Sequence, residues 1–378
     1  MYRKNHGLYI FVILVAITLF SMLTIYASSS VAEALRVSAR AATLYEPESG
    51  VFLYSKNADE RLPMASTTKI MTAIVVAETC RPEEIVKIAP EAVGIEGSSA
   101  YLCAGECFSV EELLYALLLS SANDAAAALA YHVAGSVDGF AALMNEKAEE
   151  LGLSDTHFSN PHGLDDSEHY TTAHDLALIA ACAVKNDMLR QICSTYKKSF
   201  TNGERSRTYV NHNKLLNAYD GSIGMKTGFT KRSGRCLVGA AEREGLTFIS
   251  VTLDAPSDWS DHRQMLDYGY DKLEKITFAK AGDYSYDLKL LEGEASSVRV
   301  ESIGGASVIL PRGEYEVKEY IKLPRYTVAP VKQGDILGTV VFTLDGKYAA
   351  EVKLVSAEDA PIRESESFFK KIYNAIFG

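Results

Sequence analysis

The sequence predicts an α+β protein: an antiparallel sheet flanked by helices, followed by a small all-β domain. Three observations carry this expectation. Two short alternating runs near the start and three more between residues 221 and 253 bracket a long stretch of helical periodicity. Beyond about residue 280 that periodicity disappears, and short alternating runs separated by Gly, Pro and Asp take over. The length of 378 residues, 47% of them hydrophobic and 23% charged, leaves room for more than one domain and for a sizeable core without disulfides or metals. This composition excludes collagen-like, mainly disordered and polytopic membrane chains. A net charge of −11 with no basic run argues against a nucleic-acid partner.

The elements follow in order. Arg3 and Lys4 precede an uncharged apolar run at 8–25, and a small-residue region ends in Ala32-Glu33-Ala34, so residues 1–34 read as a secretory signal with an A-x-A cleavage site. The run is also just long enough to span a bilayer, which leaves an uncleaved anchor as the alternative. Either way the remainder is expected to be exported.

Segments 41–45 and 51–54 read as a hairpin around Pro47, Glu48, Ser49 and Gly50. Residues 66–77, apolar and rich in Ala and Met, are too long for one strand and predict a buried helix. Further helices are expected at 110–119, 124–133, 137–151 and 172–184, strands at 221–228, 236–241 and 246–253, and a helix at 258–273. These elements make up a first domain at 35–278. The β-rich domain, 279–357, has alternating runs at 284–290, 297–301, 307–310, 315–322, 339–343 and 347–355.

The last segment, 358–378, reads as a polar linker and an amphipathic helix. Phe368, Phe369, Ile372, Tyr373, Ile376 and Phe377 fill one half of its wheel, and Lys370, Lys371 and Asn374 the other. At roughly 15 Å it is too short to cross a membrane, and it is expected to lie in a membrane surface, packing on the β-domain being the alternative.

Six cysteines are spread sparsely over the chain, at 80, 103, 107, 182, 193 and 236. Cys103 and Cys107 flank Ala104-Gly105-Glu106 and would share a hairpin, where a bridge needs favourable geometry. Cys182 and Cys236 sit in apolar runs and read as small buried residues.

Three triplets carry chemistry. Ser66 and Lys69 stand three residues apart at the start of the expected helix, hence on one face. A serine needs an adjacent base to become a nucleophile, and a lysine serves if burial or a second cation keeps it neutral. The spacing alone is weak evidence, because Ser194 with Lys197 and Ser367 with Lys370 repeat it. Ser121-Ala122-Asn123 lies between two helices, and by itself reads as a plain N-cap through Asn123 or Asp124. Lys226-Thr227-Gly228 follows Gly221 and Gly224 in a strand whose missing side chains would let a substrate backbone approach closely. In this order, at these element boundaries, the triplets supply a nucleophile, a base, a proton relay and an anion clamp.

With these residues in view the sequence resembles the serine-type D-alanyl-D-alanine carboxypeptidases, the low-molecular-weight penicillin-binding proteins. The likeness runs through Met64-Ala65-Ser66-Thr67-Thr68-Lys69-Ile70-Met71-Thr72, Ser121-Ala122-Asn123-Asp124-Ala125-Ala126, Asn160-Pro161-His162-Gly163-Leu164-Asp165 with His169-Tyr170-Thr171-Thr172, and Met225-Lys226-Thr227-Gly228-Phe229-Thr230. It covers about residues 39–273, and the β-domain and tail also look like those of the family. The resemblance implies a β-lactamase/penicillin-binding-protein-like fold and hydrolysis of the terminal D-Ala from peptidoglycan stem peptides, with β-lactams as covalent inhibitors and no cofactor or metal. It implies that Ser66 is acylated and that Lys69 takes its proton. Ser121 would relay that proton, Asn123 would hold the substrate amide, and Lys226 with Thr227 would bind the terminal carboxylate. Gly228 would line the substrate strand, and the N–H groups of Ser66 and Phe229 would form the oxyanion hole. It also places the enzyme at the outer face of the cytoplasmic membrane or in the cell wall. In one place the chain departs from the pattern. Ala255-Pro256-Ser257-Asp258-Trp259 occupies the region where some relatives carry an arginine for the carboxylate, and Arg263 is expected on a helix.

His157, His162, His169 and His174, with Asp165, Asp166 and Glu168, resemble a metal cluster only superficially. No His-x-x-x-His pair is present and the segment is broken by Gly and Pro, so it reads as a loop at the pocket rim, with His174 in a helix capped by Thr171 or Thr172. Two rival readings remain. A secreted β-lactamase would need a deacylating glutamate in a Glu-x-x-Leu-Asn segment that this chain lacks. A non-catalytic β-lactam or peptidoglycan binding module would be expected to lack the serine or the lysine.

Overall fold

The computed structural model describes residues 35–202 and 205–363. The expected signal at 1–34 and amphipathic helix at 368–377 lie outside the described residues. In chain order, strands β1 (Ala41–Glu46) and β2 (Val51–Lys56) lead to helix α1 (Lys69–Thr79) and the short strands β3 (Ile85–Lys87) and β4 (Cys107–Ser109). Helices α2 (Val110–Leu119), α3 (Asn123–Ala134), α4 (Val137–Glu150), α5 (Ala173–Lys185) and α6 (Asp187–Ser194) come next. The paired strands β5 (Lys197–Asn202) and β6 (Arg205–Val210), the turn of helix α7 (Leu215–Ala218), strands β7 (Ser222–Thr230), β8 (Gly234–Arg243) and β9 (Leu246–Leu253), and helix α8 (Asp258–Lys272) complete this part.

The first two and last three long strands form one antiparallel sheet in the order β2-β1-β9-β8-β7. Its strands β1, β8 and β9 are buried on both faces along most of their length, and their period of two sorts the side chains into two cores. Val238, Ala240, Ile249 and Val251 join the helical side with Ile70, Leu113, Ala126 and Ala177. Leu237, Ala241 and Phe248 meet Met265 and Leu266 of α8 on the other side. Phe248 and Tyr270 pack edge to face there, centroids 4.9 Å apart.

The structure differs from the sequence reading in local detail. The expected helix at 66–77 begins at Lys69, because Ala65–Thr68 forms a tight 3-10 turn whose Ala65 has φ of +47°. Helix α3 starts at Asn123 after Ala122, with no side-chain cap, so neither Asn123 nor Asp124 is the N-cap. The Asp124 carboxylate instead accepts the N–H groups of Ala100 and Leu102 and the hydroxyl of Ser99, pinning that loop. Gly221 and Gly224 serve packing rather than substrate access: a Cβ on Gly221 would lie 2.3 Å from the Glu242 carbonyl oxygen, and one on Gly224 2.4 Å from that of Cys193. Thr172 caps α5 by accepting from the Asp175 N–H. Cys236 is buried but Cys182 only half so, and no disulfide is seen among the described residues.

The second part is all β. Strands β10 (Leu273–Ala279), β11 (Ser285–Leu291), β12 (Ser297–Ile303), β13 (Ala306–Pro311), β14 (Val317–Lys322), β15 (Tyr326–Val328), β16 (Ile336–Leu344) and β17 (Lys347–Ser356) form two layers. A six-stranded sheet, β14-β16-β17-β12-β11-β15, faces the pair β10-β13 across Leu288, Val298, Val300, Val340, Phe342 and Leu354. Phe278 stacks on Phe342 at 5.1 Å. The β10-β13 pair also straps onto the first part. Ile309 packs against the α8 cluster, Lys275 pairs with Glu48 at 2.6 Å, and Arg312 donates to the Tyr270 carbonyl.

Candidate active site

The Ala65–Thr68 turn presents Ser66 at the head of α1, and three contacts hold it there. Strand β7 lies against it so closely that a Cβ on Gly228 would be 3.0 Å from the Ser66 nitrogen. Gly163, with φ of +86°, approaches from the other side, where a Cβ would fall 2.0 Å from the Ala65 carbonyl oxygen. Thr68 donates its hydroxyl proton to Ala65 O at 2.7 Å and meets His169 Nε2 at 2.7 Å. His169 Nδ1 accepts the Ser159 N–H, so its proton sits on Nε2 and is donated to Thr68. Burial pushes His169 down to about 4 and His162 down to about 3, so both imidazoles are neutral near pH 7. The histidine-rich loop thus braces the nucleophile turn, and none of its residues is among those lining the cleft beside Ser66.

Lys69 is fully buried, its Nζ 3.0 Å from Ser66 Oγ. It donates to Asn123 Oδ1 at 2.7 Å and to the His162 carbonyl oxygen. A neutral amine has two N–H bonds and one lone pair, and the two donations leave the lone pair for the serine hydroxyl. The environment favours that form. Burial first, and the nearby Lys226 second, lower Lys69 well below the usual lysine range, with Asp124 opposing. The sequence reading had named both causes.

Asn123 is committed at both ends of its amide: Oδ1 accepts from Lys69 and Nδ2 donates to the Glu96 carbonyl oxygen. Its first duty is to position the lysine. Ser121 lines the cleft from the α2–α3 turn in a left-handed conformation, φ +59°, a strained backbone of the kind found at functional sites. Lys226 is buried in β7, donates to the Thr227 carbonyl oxygen at 2.9 Å, and is pushed down to about 7 by burial. Thr227, Gly228 and Phe229 follow it along the cleft wall.

Ser66, Ser121, Thr227, Gly228 and Phe229 line one cleft of about 450 Å³, with the two serines on the helical side and β7 opposite, while Lys69, Asn123 and Lys226 lie buried behind its walls. The cleft adds a group the sequence reading missed. Arg235 of β8, paired in register with Phe229, lines the cleft and is held by Asp258 at 3.0 Å. Counting the β7–β8 hairpin outward from Lys226 would have found it. Arg263 lies in α8, as expected, and is not among the residues lining the cleft.

A half-buried serine beside a buried lysine, facing a strand with a second buried lysine, can carry out acyl transfer to a small anionic substrate. Residues 28–257 match the D-alanyl-D-alanine carboxypeptidase family. The chain belongs to that family. Residues 273–361 match the C-terminal domain of penicillin-binding protein 5. Among curated relatives, the carboxypeptidase DacF of Bacillus subtilis is 32% identical over 344 residues, covering 88% of each chain. DacC of Escherichia coli is 32% identical over 370 residues, 93% of this chain and 91% of its own. Penicillin-binding protein 5 of Haemophilus influenzae superposes with a TM-score of 0.62 at 30% identity, covering 86% of this chain and 98% of that one. These matches support the D-alanyl-D-alanine carboxypeptidase reading over a β-lactamase or a binding module, and the chain is a serine-type peptidase with the penicillin-binding-protein fold.

Proposed function

We propose that this carboxypeptidase removes the terminal D-Ala from peptidoglycan stem peptides through an acyl-enzyme on Ser66. Ser66 Oγ attacks the carbonyl between the two D-alanines while its proton passes to Lys69 Nζ. The oxyanion is held by the N–H groups of Ser66 and Phe229, donors worth about 3–4 kcal/mol each in comparable acyl transfers. As the C–N bond breaks, the proton passes by way of Ser121 to the leaving D-Ala amine. Water then attacks the ester, gives its proton to Lys69, and Ser66 leaves protonated. Lys226, Thr227 and Arg235 clamp the substrate carboxylate. Asn123 meets the substrate amide after its Nδ2 leaves the Glu96 carbonyl. A β-lactam enters the same first step and stays as a stable acyl group.

The observation that carries the proposal is the buried Lys69 amine, depressed by burial and by Lys226, at 3.0 Å from Ser66 Oγ. Intact-mass measurement after incubation with benzylpenicillin, followed by peptide mapping, tests it. One adduct on Ser66 is expected, and an adduct on another serine would overturn it.

The chain divides, on this reading, into a signal at 1–34, a catalytic domain at 35–278, a β-rich domain at 279–357 and a linker with a membrane-associating helix at 358–378. The signal's charged start and small-residue end support export, and the tail's aromatic face with Lys370 and Lys371 supports binding to an anionic membrane surface. Removing residues 364–378 should release signal-free protein from anionic vesicles and leave turnover of a soluble D-Ala-D-Ala peptide intact. Unchanged vesicle binding would refute the tail's role.

A further inference from the structure

Far from the serine, three side chains of different chemistry converge. Cys80 ends α1, its N–H donating to the Val76 carbonyl oxygen. Glu84 stands at the end of the following loop, which is fastened by backbone bonds from Val110 N to Glu84 O and from Glu111 N to Pro82 O, both 2.9 Å. His132 lies in the last turn of α3 and meets Glu84 Oε1 through Nε2 at 3.0 Å. The sulfur, the carboxylate oxygen and the ring nitrogen lie within 4.8 Å of one another, the one such group of three among the described residues.

We propose that Cys80, Glu84 and His132 form a binding site for a borderline divalent transition-metal cation, with zinc(II) as the type. The donor set selects the metal: thiolate and imidazole suit zinc, whereas calcium and magnesium take oxygen ligands. Tetrahedral zinc, with bonds of about 2.0–2.3 Å, sets its ligand atoms roughly 3.3–3.6 Å apart. The carboxylate and imidazole already meet at 3.0 Å, so the thiol has on the order of 1 Å to close. Three protein donors leave a fourth position for water, and all three side chains are half-buried, so a hydrated ion has a way in. Binding releases the Cys80 thiol proton to solvent and moves the imidazole proton to Nδ1, freeing Nε2 for the metal. Burial and the Glu84 charge hold the thiol above its ordinary range, and a cation between them reverses the second effect.

The site has a structural consequence. Lys69 opens α1 and Asn123 opens α3, and those two ends are joined by the 2.7 Å bond inside the active site. Cys80 and His132 stand at the opposite ends of the same two helices, roughly 16 Å along α1 from Lys69. A metal there would clamp the far ends of the helix pair whose near ends hold the catalytic lysine, stabilising the fold without touching substrate.

The test uses the full chain, purified without a polyhistidine tag, stripped with chelator, and carrying Cys103→Ser and Cys107→Ser to remove the exposed thiols. Zinc titration should give one equivalent bound and a higher Tm. Cobalt(II) should give a thiolate-to-metal charge-transfer absorption. Cys80→Ser should abolish that absorption, and Cys80→Ser and His132→Gln should each weaken zinc binding by more than about 100-fold, beyond the usual loss for an outer-sphere partner. Acylation by penicillin, retained in both variants, shows that they are folded. Failure of the stripped protein to take up zinc at tens of micromolar, or binding that survives either substitution, would overturn the proposal.

Discussion

Gly163→Ala is the sharpest probe of how the nucleophile is held. The added Cβ would lie 2.0 Å from Ala65 O, 2.4 Å from Ala65 C and 2.9 Å from Thr68 Oγ1, where at least about 3 Å is needed. Something must therefore move by about 1 Å. The loop is not free to take up the whole shift, because Asn160 Oδ1 accepts the Gly163 N–H at 2.8 Å and the His162 carbonyl accepts from Lys69. The displacement is shared with Ala65 and hence with Ser66. A 1 Å misplacement of a reacting group slows catalysis by about 100-fold, and the left-handed backbone adds about 1–2 kcal/mol of destabilisation for a non-glycine residue. The assay is the rate of acylation by a fluorescent penicillin, with thermal unfolding measured alongside. Gly152→Ala is the control: it has φ of +74° with no atom within 4 Å of its built Cβ. It should lower Tm by a few degrees, at about 2–4 °C per kcal/mol for a domain of this size, and leave acylation within about twofold. Wild-type acylation by Gly163→Ala would refute the argument that this loop braces the serine.

Three further outcomes are expected. Lys69→Arg should cut penicillin acylation by more than about 100-fold, because a guanidinium stays protonated and cannot act as the base; Lys226→Arg should acylate and chiefly raise KM, and equal, complete loss in both would contradict the division of roles. For a peptide ending in a carboxylate, kcat/KM should fall on the alkaline side with a midpoint near pH 7, because Lys226, held at about 7, is cationic below that value and neutral above it. Lys226→Arg should abolish that alkaline limb, because a guanidinium stays protonated; a limb unchanged by that substitution would assign it elsewhere. Arg235→Gln, removing a charge-assisted hydrogen bond worth about 1.5–3 kcal/mol, should raise KM by roughly 10–100-fold with kcat little altered, and an unchanged KM would exclude Arg235 from carboxylate binding.

Much of this site was legible because its logic is local. Ser66 and Lys69 are three residues apart on one face, and the second lysine that depresses the first belongs to a recognisable strand triplet. What stayed hidden depends on register and on long-range packing. Arg235 reaches the cleft only because β8 pairs with β7 so that it stands beside Phe229. The Thr68–His169 bond joins residues whose separation in sequence carries no periodic signal. Asn123 looked like a cap because capping needs only neighbours, whereas its bond to Lys69 needs the tertiary fold. The β5–β6 pair was missed because Lys197, Lys198, Ser199 and Thr201 give it little apolar alternation. Gly221 and Gly224 were misread for the opposite reason: a missing side chain marks a close approach without saying what approaches.

The position of β1 in the sheet governs when the enzyme comes into being. It is fully buried between β2 and β9, so Ala41 meets Leu253 only after nearly all of the first part has been synthesised. The helices between them form from neighbouring residues, but the sheet they cover must close the longest loop in this part of the chain before it gains any contact in return. A ribosome emitting the chain from its first residue therefore releases a polypeptide that has a nucleophile and a base long before it has an active site. Strand β7, which carries Lys226 and presses on the serine turn, joins a sheet only through β8, and β8 through β9. Catalytic competence thus arrives with the last strands, and a chain cut short before residue 253 can neither hold its lysine in the dry interior nor bind penicillin.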